Sequence, residues 1–558
     1  MTDYNIELYF TEWGIYDRKY PVSKVPLDAC PGISLAYAFV EAKETSPGVY
    51  GLNILDPWAT TDKKFTDPAE SVSPPDSWND TVAFSGNFGQ FLKLQKAGKQ
   101  FNLSVSLGGW TKSSNISLAV RTSASRTSLV KSIIDFYDKY PIFNGFSLDW
   151  EYISTDGVNY GDATNTVDKT DGENCRLFLT ELKQQLQATN RGNYKIALCL
   201  SADPKKIAAF SNFNQVHPLV DFIHLMTYDF DSGAWGTKTA KPHTNTYTTS
   251  YTSFSVDEAV KYVMNNCGCP SRKIMVGVAF YSRGYSGVTE PKLGAAATGG
   301  STDKSWEDGV VDYHSLPLSG ATEYYDAASG TAFSYDPAKQ ILNTYDSVQS
   351  VTEKCNYVKK NNLGGILVWE ISGDTDINSN RSLLKTMYSI LKSGKSVTPV
   401  PSVPSVPQPK PTPVPSMPSA PVQPTPTTPS GPSLAPWVSG TSYKAGDLVS
   451  YNGKTYICIT SHISNVSWTP TAAFTLWKEQ AGSTPSVPVQ PALTPTVPST
   501  PSVPKPAPIP PPKPTVPSAP SSSNKVLMDY IAANGGSISV SCMLSVENNK
   551  VVIKGFIE

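Results

Sequence analysis

Several features are scarce in this 558-residue chain. Neither sign of charge is in excess: 46 Lys and Arg stand against 47 Asp and Glu, a formal net charge of -1. That balance offers no basic surface for nucleic acid or for an anionic membrane. No apolar run reaches the length of a membrane span. The opening stretch Met1-Thr-Asp-Tyr-Asn-Ile-Glu7 lacks both the basic and the apolar regions of a signal peptide. The five histidines and eight cysteines show no metal-ligand spacing, and Cys267-Gly-Cys269 is too tight for a zinc pair. No metal and no cofactor are therefore expected. The thiols are read as free or buried, with one or two disulfides left open.

Proline is abundant but unevenly placed: most of the excess over an average chain lies beyond residue 398. Residues 396–434 and 481–523 are almost wholly Pro, Val, Ser, Thr and Ala. Such segments cannot bury a core and favour extended polyproline II, so they read as semi-rigid spacers. They divide the chain into a body (1–395), a small module (435–480) and a tail (524–558). The tail shows a short amphipathic helix pattern over 525–533. Beyond it lie an alternating strand around Ile538–Leu544 and a second strand, Lys550–Ile557; its role is not legible.

In the body, short apolar runs recur: Ile6–Phe10, Ile33–Val40, Phe101–Leu107, Phe143–Glu151, Lys195–Ser201, Phe222–Tyr228, Lys273–Phe280 and Gly364–Trp369. Helical patterns separate most of them, among them Ser128–Tyr140, Cys175–Ala188, Val256–Asn265 and Ser347–Lys360. Near-continuous apolar strands alternating with helices predict a closed parallel (β/α)₈ TIM barrel, an α/β fold with its chemistry at the strand carboxyl ends. Residues 284–346, between the seventh and eighth runs, are too long for one crossover. They predict an inserted α+β subdomain walling one side of the mouth.

The fourth run carries the candidate chemistry. Strand alternation puts Ser147, Asp149 and Glu151 on one face, with Phe146, Leu148 and Trp150 on the other. Two carboxyls on one face repel when both are ionised, so one holds its proton at neutral pH. A carboxylic acid of that kind can protonate a leaving oxygen.

These motifs, in this order, resemble glycoside hydrolase family 18 chitinases. Ser106-Leu-Gly-Gly109 is similar to the family's S-x-G-G, and Asn144-Gly-Phe-Ser-Leu-Asp-Trp-Glu151 to its D-G-x-D-x-D-x-E. Met226-Thr-Tyr-Asp229 resembles M-[TAS]-Y-D, Tyr281-Ser-Arg283 resembles Y-x-R, and Gly364-Gly-Ile-Leu-Val-Trp369 resembles the tryptophan-bearing eighth strand. The resemblance implies an acid, Glu151, and substrate-assisted retaining hydrolysis of β-1,4-linked N-acetylglucosamine polymers. Asp149 and Tyr228 would hold the substrate's acetamido group, with Trp369 as the floor under the sugar. Met226, Asp229, Tyr281 and Arg283 would line the same subsite; Tyr9, Tyr152, Ser106 and Ser147 are further candidates. His224, in the middle of the sixth run, is read as a core histidine. Residues 435–480 resemble carbohydrate-binding modules of families 5 and 12. Trp437 and Trp477 are read there as a core pair, and Trp468 and Tyr456 as sugar-stacking residues. The expected partner is chitin or its oligosaccharides, met by a monomer outside the cell, with virion association or non-standard export left open. Two rivals remain: a chitin-binding lectin, which Glu151 argues against, and an endo-β-N-acetylglucosaminidase acting on N-glycans, which the module argues against.

Two positions depart from the pattern. Asn144 stands where the first Asp is usual, with the opposite strand parity from the catalytic face. Ser147 stands where the second Asp is usual, behind Asp149. Serine can donate a hydrogen bond to Asp149 but cannot take its charge, so an altered pH profile is expected. Restoring the carboxyl with Ser147→Asp should move the pH–rate curve; curves that superimpose on the wild type would remove the expectation.

Overall fold

Eight strands of the body pair in parallel and close on themselves in a computed structural model. It describes residues 4–159, 163–393, 435–438, 441–452, 454–460, 462–464, 469–471, 473, 476–480, 540–547 and 550–557. The strands through the seventh of the barrel are β1 (Asn5–Thr11), β2 (Ile33–Ser46), β3 (Val49–Ile54), β4 (Phe101–Gly108), β5 (Gly145–Asp149), β6 (Lys195–Ser201), β7 (Phe222–Met226) and β8 (Ile274–Ala279). The insertion supplies β9 (Arg283–Ser286), β10 (Gly299–Gly300), β11 (Thr322–Asp326), β12 (Thr331–Asp336) and β13 (Ile341–Tyr345), and β14 (Gly365–Trp369) follows. Strand β3 is an antiparallel extension of β2; the other members of the first group and β14 form the barrel, closed by β1 between β2 and β14. All eight expected runs are barrel strands, and the helices between them cover an outer face of buried Val, Ile, Leu and Phe.

Helix starts follow local capping. The helix expected from Ser128 begins at Ser123, because Thr122 accepts from the Ser125 N–H and the Ser125 side chain bonds back to Thr122 N–H. Ser347 and Ser350 make the same reciprocal pair ahead of Val348–Lys360. The departing Asn144 is structural: its Oδ1 accepts from Leu103 N–H (2.8 Å) and its Nδ2 donates to Asn102 (3.1 Å), joining the bottoms of β4 and β5.

The insertion is a five-stranded antiparallel sheet in the order β10-β9-β13-β12-β11, and its packed face includes Tyr285, Phe333, Tyr335 and Leu342. Among its described residues the helical element is one 3₁₀ turn, Tyr313–Ser315, so the expected α+β character narrows to β. Its Tyr, Thr and Gly residues suit pleated strands and turns rather than a helix.

The chain falls into two compact units, Met1–Ser416 and Met417–Glu558. In the second, Leu448–Tyr451, Lys454–Cys458 and Trp477–Gln480 form a three-stranded antiparallel sheet. Its core is Tyr443, Val449, Tyr456, Cys458 and Trp477. Trp477 is buried edge-on against Tyr443, whereas Trp437 is only partly buried and packs against Tyr451. Tyr456 is corrected from sugar-stacking residue to core residue. Pairing with Val449 and Glu479 turns it, with Cys458, to the buried face. Trp468 and the 525–533 helix pattern lie outside the described residues. The tail strands Val540–Glu547 and Lys550–Ile557 form an antiparallel hairpin. Cys30, Cys175, Cys199, Cys267, Cys269 and Cys355 are free thiols, and no described helix is long and apolar enough to cross a membrane.

One buried ion pair ties the helix Val348–Lys360 to the barrel. Lys354 Nζ lies 2.7 Å from Asp346, with both side chains fully buried, and also donates to Thr244 Oγ1 (2.6 Å). Asp346 in turn accepts from Ser350 (2.8 Å) and from Ala279 N–H at the end of β8 (3.2 Å). Removing one partner strands the other charge, so Lys354→Met should destabilise the body by about 3–5 kcal/mol, read from urea unfolding. The double change with Asp346→Asn should lose less.

Candidate active site

The fourth barrel strand ends at Asp149, and the chain reaches Glu151 two residues later. Asp149 is held by its own backbone. Its carbonyl oxygen accepts from Gly109 N–H (2.6 Å) and from Ser113 Oγ (3.2 Å), while the same Ser113 oxygen accepts from Glu151 N–H (2.9 Å). Gly108 has φ of 104°, and a Cβ there would fall 2.1 Å from that carbonyl. Only glycine permits so close an approach in that conformation. The Ser-Leu-Gly-Gly motif is thus a backbone brace for the acids.

A cavity of about 710 Å³ opens above this brace, large enough for a small oligosaccharide segment. Its lining brings together ten of the expected residues: Tyr9, Asp149, Glu151, Tyr152, Met226, Tyr228, Asp229, Tyr281, Arg283 and Trp369. Ser106 and Ser147 are corrected. Both are fully buried in the barrel interior, side by side in the β4–β5 register, and neither lines the cavity. Among the described contacts Ser147 does not hydrogen-bond Asp149; it bonds Tyr9 Oη (3.0 Å) and lies 3.8 Å from the Cys199 sulfur. A strand's inward residues stack in layers, and Ser147 occupies the layer below Asp149.

The electrostatics separate the acids. Burial pushes the Asp149 carboxyl up, opposed by a hydrogen bond from Cys199 and the nearby His224. Burial and then the Asp149 charge push Glu151 well above the ordinary carboxylate range, against a hydrogen bond from Tyr152 and the Lys206 charge. Glu151 is the better proton holder. Asp229 behaves oppositely. Burial disfavours its charge, but the Arg283 guanidinium, which grips both oxygens at 2.8 Å, and the nearby His243 hold its carboxyl far below the usual range; Tyr281 also donates to it at 2.8 Å. Asp229 also takes a positive φ of 56°, a conformation Asp tolerates better than most residues.

Some lining residues were not singled out in the sequence. Trp110, Trp235 and Trp306 are each about half exposed at the cavity, and Arg18 bridges Asp312 of the insertion (3.1 Å) and Glu370 after β14 (3.1 Å) under the Trp306 ring. Lys206 sits 3.5 Å from the Tyr152 ring centre. A tryptophan in a polar, Gly-rich loop was the available signal for the first three, since such a side chain has no core to enter. As expected, the insertion walls the mouth, through Trp306, Glu307, Val310 and Asp312.

A family model described as "Glycosyl hydrolases family 18" matches residues 5–374. The chain belongs to glycosyl hydrolase family 18. A second model, "Carbohydrate-binding module family 5/12", matches residues 436–478. A chitinase of Autographa californica nuclear polyhedrosis virus is 33% identical over 405 residues, covering 66% of this chain and 70% of that protein. Endochitinase 1 of Metarhizium robertsii is 31% identical over 384 residues, covering 66% of this chain and 81% of its own. The catalytic domain of psychrophilic chitinase B from Arthrobacter TAD20 superposes with a TM-score of 0.62 at 27% identity, covering 73% of this chain and 98% of that chain. The body is thus a glycoside hydrolase, built on the barrel that its apolar runs predict.

Within this hydrolase, Gly277 on β8 makes room for Tyr228: a Cβ there would meet its ring carbons at 2.8 and 2.9 Å. Gly277→Ala should displace the ring and lower kcat by about 10²-fold, as a small misplacement at a reacting centre does, with the melting temperature measured alongside to exclude unfolding.

Proposed function

We propose that the protein is a chitinase that hydrolyses β-1,4 bonds between N-acetylglucosamine units, with retention and with the substrate's acetamido group as nucleophile. The carrying observation is at Asp149. It lines the cavity, yet its Oδ1 is buried without a hydrogen bond from any described protein group. A buried acceptor left unmatched is costly, and an acetamido N–H at the cavity floor would satisfy it.

The other acids of the cavity support the same reading by being engaged elsewhere. Asp229 is gripped by Arg283, Arg283 also pairs with Glu307 (3.3 Å), and Asp312 and Glu370 share Arg18. Asp203 caps its helix at Lys205 N–H. Among the described residues of the cavity no further carboxylate stands free as a protein nucleophile, which fits the substrate-assisted exception among retaining glycosidases. In this reading Glu151, proton-bearing near neutrality, protonates the glycosidic oxygen as the acetamido oxygen attacks C1. Asp149 accepts from the acetamido N–H and offsets the positive charge of the oxazolinium ion. Tyr228 donates to the acetamido oxygen, and Glu151, now ionised, then activates water. Trp369, 5.5 Å from Tyr9 between ring centres, offers its indole face to the pyranose. The partner is chitin, in solution or as a polymer. The family 5/12 module would raise the concentration of the barrel at an insoluble surface, which suits action outside the cell.

Chitin oligosaccharides and a high-mannose glycopeptide, offered to wild type and Glu151→Gln, test the reading. Wild type should cleave the oligosaccharides alone, and Glu151→Gln should lose at least about 10²-fold in kcat. Activity should fall on the alkaline side as Glu151 loses its proton, at a pH above the ordinary carboxylate range. Cleavage of the glycopeptide alone would favour an endo-β-N-acetylglucosaminidase, and no turnover of either would favour a lectin.

A further inference from the structure

Below the cavity the barrel interior holds a run of polar contacts. Cys199 on β6 stands beside Asp149, one position beyond the Leu148–Leu198 pair of β5 and β6, and its sulfur lies 2.9 Å from Tyr9 Oη on β1. The same Tyr9 oxygen lies 3.0 Å from Ser147 Oγ and 3.1 Å from His224 Nδ1 on β7. On its other edge the imidazole presents Nε2 at 3.3 Å to Glu7, also on β1. His224 is 0% and Glu7 3% exposed, and among the described residues His224 is the group within ion-pair distance of Glu7. Glu7 and Tyr9 share a strand face, so both point inward.

We propose that Glu7 and His224 are positioning residues for Asp149, a buried acid–base pair coupled to it through Tyr9 and Cys199 that supplies the counter-charge Ser147 cannot. The inference rests on the chitinase reading and deepens it at the same site. A buried carboxylate needs either a proton or a positive partner. For Glu7 the nearest such partner is the His224 ring. In one order of the protons His224 Nδ1–H donates to Tyr9, Tyr9 O–H to the Cys199 sulfur, and Cys199 S–H is turned toward Asp149. Every donor in this order points toward Asp149, which stabilises the carboxylate at the end of the run.

Other groups near Asp149 do not supply that charge. Tyr9 and Cys199 are neutral links, Tyr228 beyond β7 is a buried phenol, and Glu151 beyond β5 is a like charge when ionised. The remaining barrel strands turn in Ala36 from β2, Ser106 from β4, Met275 from β8 and Leu367 from β14, none of them charged. An ion pair costs more than a packed apolar pair of the same size, so a Glu and a His in this interior call for a reason beyond packing.

The test is the pH dependence of kcat/KM on a soluble chitin oligosaccharide for wild type, Glu7→Gln and the double variant Glu7→Gln/His224→Gln. The double variant replaces both charges with amides of similar size, so it strands no buried charge and keeps the question open if the single variant does not fold. Glu7→Gln takes away the acid that holds positive charge on His224, and the double variant takes away both groups, so each leaves Asp149 without that charge and harder to ionise. The acid limb should therefore move up by about one pH unit in each folded variant, a tenfold change at its foot. The alkaline limb and KM should stay close to those of wild type, which a merely structural loss would not produce. An acid limb that superimposes on wild type in a folded variant overturns the inference and leaves the chitinase reading intact. No turnover by wild type itself overturns both.

Discussion

Two carboxyls must share the end of one buried strand, and the rest of the site is arranged around that. Asp149 ends the fourth barrel strand and Glu151 follows two residues on, both in surroundings that disfavour charge. Among the described residues neither has a cation within ion-pair distance. One consequence is that Glu151 holds its proton to a higher pH than an ordinary carboxyl does. Another is the tight backbone brace of Gly108, Gly109 and Ser113, which fixes where the strand ends and so where each acid stands.

Elsewhere in the cavity, charge is neutralised in pairs. Arg283 takes Asp229 and Glu307, and Arg18 takes Asp312 and Glu370. These pairs also join elements. Arg283 opens the insertion and Asp229 follows β7, while Arg18 lies in the loop after β1 and links the insertion to the end of β14. The wall of the cleft is thereby fixed to the barrel beside Trp369. Because those acids are occupied, the proposed chemistry is assigned to Asp149 and Glu151.

Much of the site was legible because strand parity is rigid. Residues two apart on a strand must share a face, so Asp149 and Glu151 could be paired from the sequence, and Met226 could be placed on the inward face of its run. Parity fixes the face but not the depth. Ser106 and Ser147 lie on the inward faces of β4 and β5, yet one layer below the cavity, and their neighbours there come from β1, β6 and β7. In the small module, likewise, Tyr456 reads as an aromatic on an alternating strand, and only pairing with both neighbours decides that its face is the buried one.

The sequence by itself determined the barrel, the position of the two acids on its fourth strand and the family of hydrolases to which the chain belongs. Each depends on short-range periodicity or on residues close together in the chain. Tertiary structure alone decided what stands beneath Asp149. His224 reads as an ordinary core histidine and Glu7 as one acid near the start of the chain. They meet because closing the barrel sets β1 and β7 across the same interior, and Tyr9 spans the gap to Ser147 and Cys199. Contacts between residues more than two hundred positions apart depend on barrel closure and strand stagger, which no local pattern encodes.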